Sequence, residues 1–318
     1  MKTEAELFDF YPSELKPFLI SIEEQKPDPP YVNRKLQFII GIVITIIFTI
    51  QSIINKSIIF LIPVIFTAIS LLFNSKKKID EERYKLLLQE FNETKRKLYK
   101  IKVLPRLIDF LFDDCEYIPN QRISPVVLNK SMLIEHHISQ VEGEGFMRFN
   151  VGETNIMFSE TDALNDNLYS IFKGVFLSAS FNKNFTSKTF LFSKSITAFI
   201  KNTEKKIFSG LEIVKLENNE FDHEFLVLST DQVEARYILT PNLMERILDY
   251  KHKMGTNISF SFVDNRLYCA IPDYSYHFDP IIYSPLEYRN VKDVYNQLKI
   301  YTDIVEDLHL NLRIWSKE

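Results

Sequence analysis

Apolar and polar positions follow different periods along this chain, and the changes of period divide it. From Leu36 to Phe73 polarity almost vanishes: "LQFIIGIVITIIFTIQSIINKSIIFLIPVIFTAISLLF" holds no acidic residue and a single basic one, Lys56. At about 1.5 Å per residue the runs 36–54 and 58–73 would reach about 28 and 24 Å as helices, so residues 36–74 predict a two-helix transmembrane hairpin. Snorkelling of Lys56 and Asn74 would complete the shorter span, and Pro63 predicts a kink in it. Arg34 and Lys35 precede the first run, and Lys76 to Lys78 follow the second. Such basic flanks predict a multi-pass protein of the inner, cytoplasmic membrane with both termini in the cytoplasm. Neither span carries an ionisable residue, which disfavours a transport path.

On either side the pattern becomes helical. In the arm 1–35, Leu7, Phe8, Phe10, Leu15, Phe18, Leu19 and Ile22 predict a short amphipathic helix stopped by "KPDPP". Its apolar face has two candidate partners, the bilayer and the domain; its acidity makes an anionic lipid surface the poorer one. In 75–118, Tyr84, Leu87, Leu88, Phe91, Leu98 and Ile101 predict an amphipathic helical stalk, limited or kinked at Pro105, with a new run from Leu107 to Phe112. The basic residues from Lys95 to Lys102 read as a solvated face or as partners for lipid headgroups. Their thin aromatic interleaving disfavours nucleic acid.

Across 119–318 the period falls to two. "GFMRFNV", "NIMFSE", "IFKGVFLSASF", "KTFLFS", "HEFLVLS", "ISFSFV" and "RLYCAI" predict strands, the last two joined by a two-residue turn at Asp264-Asn265. Phe260 and Phe262 predict the buried face there, with Ser259 and Ser261 on the other. Helices are predicted at Ser195–Lys201, within Ser229–Gly255 and over Val291–Leu308. The fold class is therefore α+β: a transmembrane hairpin, a stalk and a cytoplasmic, mostly antiparallel sheet, open or barrel-like, with packed helices.

Composition narrows the chemistry. Of 318 residues 46% are apolar and only 7 are glycine, too apolar for disorder and too glycine-poor for a phosphate-binding loop. A net charge of -4 gives no global field for nucleic acid. Cys115 and Cys269 lie far apart without metal-ligand spacing, and read as packed thiols of a reducing compartment. His136-His137 lacks a partnering carboxylate or cysteine at ligand spacing. Nothing calls for a metal or other cofactor.

The stretch that most resembles a cluster made for chemistry is "STDQVEARYILTPNLMER", Ser229 to Arg246. Asp231 with Glu234 three positions later predicts a helix-opening capping box; Thr240-Pro241 predicts a second helix start and Gly255 its stop. Glu234-Ala235-Arg236 echoes a nuclease Glu-x-Lys signature, but a carboxylate in a first helical turn and an arginine that does not give up its proton fit capping and ion pairing better. No catalytic, cofactor or metal residue is assigned. A candidate functional surface, if there is one here, comprises Glu234, Arg236, Asp264 and Arg266 around one end of the hairpin.

"GVFLSASFNKNF", "FLVLSTDQVEARYILTPNLMERIL" and "ISFSFVDNRLYCAIP" resemble bacterial two-span membrane proteins carrying the domain of unknown function 3137. The resemblance implies an anchor plus a cytoplasmic domain, and a membrane assembly shared with LemA-type proteins; it implies no chemistry. The reading that follows is an anchored interaction or ligand-binding module, with the bilayer and a membrane protein as partners and the oligomeric state open. The competing readings are an enzyme with a site of scattered polar residues, and a ligand-triggered effector that perturbs the membrane.

Overall fold

The segments of period two form one antiparallel sheet. The computed structural model describes residues 1–29, 43, 62–134, 136–180, 185–194, 210–273 and 285–308. Its strands are β1 (Glu116–Ile118), β2 (Gln140–Glu142), β3 (Phe146–Val151), β4 (Thr154–Leu164), β5 (Ser170–Ser180), β6 (Thr189–Ser193), β7 (Glu212–Ile213), β8 (Phe225–Ser229), β9 (Ser259–Val263) and β10 (Arg266–Pro272). Their order is β1-β3-β4-β5-β10-β9-β6-β8-β7, with β2 beside β3 on the same edge of β4. The outermost strands do not pair with each other, so the barrel-like alternative is corrected to an open sheet. Edge strands of three and two residues offer too few ladder bonds for closure, and they also keep the exposed edges short.

Helices flank these strands: α1 (Glu4–Phe10), α2 (Lys16–Glu23), α3 (Ile62–Leu98), α4 (Leu104–Leu111), α5 (Pro125–Ser131), α6 (Asn219–Glu224), α7 (Gln232–Ile238), α8 (Pro241–Met254) and α9 (Tyr288–Asp307). Two π-helical turns, Tyr11–Leu15 and Tyr99–Val103, join α1 to α2 and α3 to α4. The described chain divides into two units. One comprises Met1–Leu19, Tyr99–Ile281 and Leu286–Glu318; the other comprises Ile20–Leu98 and Ile282–Pro285.

In the first unit the sheet is covered on both faces. Strand alternation places Leu177, Phe260, Phe262, Leu267 and Cys269 on one face, where Phe158 meets Tyr301 of α9 with ring centroids 6.0 Å apart and the Lys251 ammonium of α8 lies 5.0 Å from the Phe225 ring. On the other face Phe176, Phe190, Phe192, Val263, Tyr268 and Ala270 pack with Ile123, Leu128, Leu133, Ile138 and Val141 from α5 and its flanking loops. Buried serines on this second face fasten the cover. Ser261 Oγ donates to the Ser131 carbonyl at 2.7 Å, and Ser159 Oγ accepts from the Ile123 amide at 3.0 Å.

The N-terminal arm belongs to this unit. Leu7, Leu15 and Leu19 are buried, Phe10 stacks on Phe110 at 3.9 Å, the Lys2 amide donates to the Leu111 carbonyl and Tyr295 Oη donates to the Lys2 carbonyl. Of its two expected partners, the apolar face of the arm through Leu19 therefore takes the domain. In the second unit Lys95, 2% exposed, pairs with Glu23 at 2.5 Å, its ammonium 5.7 Å from the Phe91 ring.

The expected transmembrane hairpin is not seen among the described residues. Residue 43 apart, span 36–54 lies outside them, as do residues 58–61. Ile62–Phe73 open α3, which continues unbroken to Leu98, so the second apolar run and the stalk are one helix of 37 residues. Among the described residues no helix is long and apolar enough to cross a membrane. The helix expected over Ser195–Lys201 also lies outside the described residues, whereas the terminal one is present as α9.

The double cover sets different costs for neighbouring positions of β9. Phe260 is fully buried and meets Phe225 at 6.3 Å, so Phe260→Ala should cost about 3–5 kcal/mol by leaving a cavity. Ser261 was expected to be indifferent because it faces away from Phe260. It is fully buried too, and Ser261→Ala should cost about 1–3 kcal/mol by stranding the Ser131 carbonyl. Denaturant titration of the two variants checks both; an unaltered midpoint for Ser261→Ala would contradict the buried second face.

Candidate functional site

The four residues of the predicted surface do not form one cluster. Asp231 caps α7, accepting from Val233 N at 2.7 Å and Glu234 N at 3.0 Å. The expected return contact from Glu234 is not made. Its carboxylate instead accepts from Thr186 N at 3.1 Å and Ser187 N at 2.6 Å, where the chain enters β6. Two amides that lack ladder partners, that of Ser187 in a buried residue, are the stronger attraction, because an unserved donor costs more than an imperfect cap. Asn265 of the β9–β10 turn reaches the same strip, its Oδ1 accepting from Phe185 N at 3.1 Å. Asp264 and Asn265 both have positive φ, 51° and 57°, as the tight turn requires. Glu234 and the turn thus meet through residues 185–187. Arg236 points elsewhere, donating to the carbonyls of Gln232 at 2.9 Å and Lys215 at 3.2 Å. Arg266 lies on the second face of the sheet, with Nε donating to Ser178 Oγ at 2.8 Å.

These are tethering contacts: a carboxylate and an amide hold a loop, and a guanidinium holds a strand edge. His136 and His137 are exposed and lie in a bend, not a strand. Among the described residues no group of three His, Cys, Asp or Glu is placed to hold a metal ion. Both cysteines are free thiols, and burial pushes the Cys115 thiol up to about 12.

A concavity lies at the opposite end of β10, which at about 3.4 Å per residue is roughly 20 Å away. It has a volume of about 360 Å³ and is lined by Glu142, Glu144, Glu160, Asp162 and Asp273, with Lys173, Asn120, Thr161, Gly143 and Gly174. Two glycines make its walls possible. A Cβ on Gly143 would stand 2.2 Å from the Glu160 carbonyl oxygen, and one on Gly174 2.1 Å from that of Ile271, so only glycine lets these backbones approach. Asp162 and Lys173 are register partners across β4 and β5, and Ser170 Oγ donates to Asp162 Oδ1 at 2.6 Å. Buried Lys100, in the second π-helical turn, pairs with Glu144 at the rim. Behind the cleft the Tyr301 hydroxyl is pushed far up by burial and then by the charges of Asp273 and Glu160.

The cleft is an anionic, partly self-neutralised surface suited to cationic groups. Sequence reasoning missed it because its carboxylates come from three separated segments, one of them an unrecognised three-residue strand. The available signal was the alternation Glu160-x-Asp162, which puts two carboxylates on one face of a strand.

Residues 170–310 match the family described as "Protein of unknown function (DUF3137)". The match takes in the three segments that carried the resemblance and leaves out the apolar run 36–73. No curated protein matches the chain. Among solved structures it is similar to the mycobacterial trehalose monomycolate transport factor A, TtfA, at 9% identity, covering 61% of this chain and 88% of that one with a TM-score of 0.33.

Glu234 gives this end of the sheet a pH dependence. Burial alone would raise its pKa, but the hydrogen bonds from Ser187 and Thr186 prevail and hold it below the usual value. Its contribution is therefore complete above about pH 4.3 and is lost as pH falls through the depressed folded-state value. Glu234→Ala should cost about 1–3 kcal/mol at neutral pH. Glu234→Gln should flatten the acid limb of a melting-temperature profile, and a limb that stays as steep as in the parent would show that Glu234 does not titrate with folding.

Proposed function

We propose that this protein is a membrane-anchored module at the cytoplasmic face of the inner membrane, whose sheet domain presents the carboxylate-lined cleft to a ligand or protein partner. The observation that carries the anchor is the way the chain leaves and returns. Within the first unit the segment ending at Leu19 is fastened to the segment beginning at Tyr99: Phe10 stacks on Phe110, and the Arg106 guanidinium lies 4.0 Å from the Phe18 ring. Within the second unit Glu23 and buried Lys95 pair. The intervening excursion starts and ends at one place, and the most apolar stretch of the chain, 36–73, lies inside it.

An excursion clasped at both feet, if it enters a membrane, has to come back to the side it left, which requires an even number of crossings. Two runs of about 28 and 24 Å fit that requirement, and the basic flanks set the side independently. The partners of this reading are the bilayer and a membrane protein, of LemA type by resemblance. The module acts by binding, through a cleft whose Lys173 and Lys100 already balance part of its charge.

Fractionation and protection test it. The full chain should stay with membranes through an alkaline wash, and a variant lacking 36–73 should leave them while keeping a cooperative melt. Protease added outside intact cells should spare the sheet domain, and added to inverted vesicles should cut it. Release of the full chain by the wash, or cleavage from outside, would end the reading.

A further inference from the structure

A buried polar group on the second face of the sheet lacks an acceptor. Arg266 and Tyr268 lie on the same face of β10, in register with Ser180 and Ser178 of β5. Arg266 uses Nε on Ser178 Oγ at 2.8 Å, but its Nη2 is buried with no hydrogen-bond partner. Tyr268 beside it is 1% exposed. The two groups feel each other's charge, and the Asp264 carboxylate of the turn acts on the tyrosine. Elsewhere on this sheet buried hydroxyls are served: Ser193 Oγ donates to the Ile258 carbonyl, Ser261 Oγ to that of Ser131, and Thr189 and Ser229 share a bond at 3.0 Å.

A buried donor without an acceptor costs about 1–3 kcal/mol, and more when it is charged. The buried Arg266 Nη2 and the neighbouring Tyr268 hydroxyl each have a proton to give, and an acceptor with more than one oxygen would serve both. A guanidinium fork matches carboxylate and phosphate geometry and repels a metal ion. Register places Met157 beside Ser178 and Val263 beside Arg266, so part of the surroundings is apolar, with Ser180 the polar register partner of Arg266.

We propose that Arg266, with Tyr268 and Ser178, binds a small oxyanion, a carboxylate or phosphate group, on the second face of the sheet. This site is separate from the carboxylate-lined cleft, which lies at the other end of β10 and has the opposite charge, so it does not depend on the function proposed above. Arg266 is the charge-bearing ligand residue. Tyr268 supplies a second donor, and Ser178 fixes the guanidinium from the side.

The test measures the melting temperature of the purified full chain in chloride and, at equal ionic strength, in inorganic phosphate or in acetate. Phosphate, acetate or both should raise it, and the more effective of the two identifies the oxyanion. Arg266→Met should melt in chloride no lower than the parent, because it removes an unserved charge, and should lose the response. Tyr268→Phe should keep the fold and weaken binding about tenfold, as expected for one hydrogen bond to a charged group. Tyr268→Phe also keeps the proposal falsifiable should Arg266→Met fail to fold. A parent chain that responds to neither anion overturns the site, and so does an undiminished response in either variant.

Discussion

Everything in the described domain depends on a sheet whose central strands have no solvated face. A meander of antiparallel strands ordinarily leaves one side to water and fills it with charged residues. Here β5, β10, β9 and β6 are buried on both sides, and the side chains on the second face are Phe, Tyr, Ala and a set of serines. Hydroxyls are the smallest polar groups that can sit in a packed interior and still reach a neighbouring backbone. Ser159 and Ser261 do so, each joining a strand to a segment that would otherwise only lie against it. The covering loops around α5 are thereby fixed by direction as well as by apolar contact. This is also why a polar group on this face that goes unserved, that of Arg266, stands out physically.

Much of this was legible because it is local. The turn at Asp264-Asn265, the caps at Asp231 and Thr240, and the stop at Gly255 each depend on residues a few positions apart, and the structure has all four. Alternation also located the long strands. The short ones escaped: β1, β2 and β7 have two or three residues, and their pairing is decided by what lies across the sheet. Ser261 shows the same limit. Period two correctly says that it faces away from Phe260, but no local pattern says whether that other side meets water or α5.

The site was harder to read for a related reason. Charge density drew attention to Glu234 and Arg236, which lie close in sequence and are used to tie loops and edges. The cleft gathers Glu142, Glu144, Glu160, Asp162 and Asp273 through strand register, and two glycines bring its walls together. Register is a long-range property. It put Asp162 opposite Lys173 and Arg266 opposite Ser180, and neither pairing is written in the spacing of the residues involved.

The clasped arm also imposes an order in time. Lys2 and Met1 meet groups on Leu111, Tyr295 and Thr302, so these contacts wait on residues up to 301 positions further along the chain. Until then Leu7, Leu15 and Leu19 lack the neighbours that bury them. Contacts of such long sequence separation are slow to form, because loop closure costs entropy before any contact repays it. The arm is therefore among the last pieces of the domain to be fitted, and a bulky substitution in its buried face would act late, on the docking of the arm, and not on the sheet.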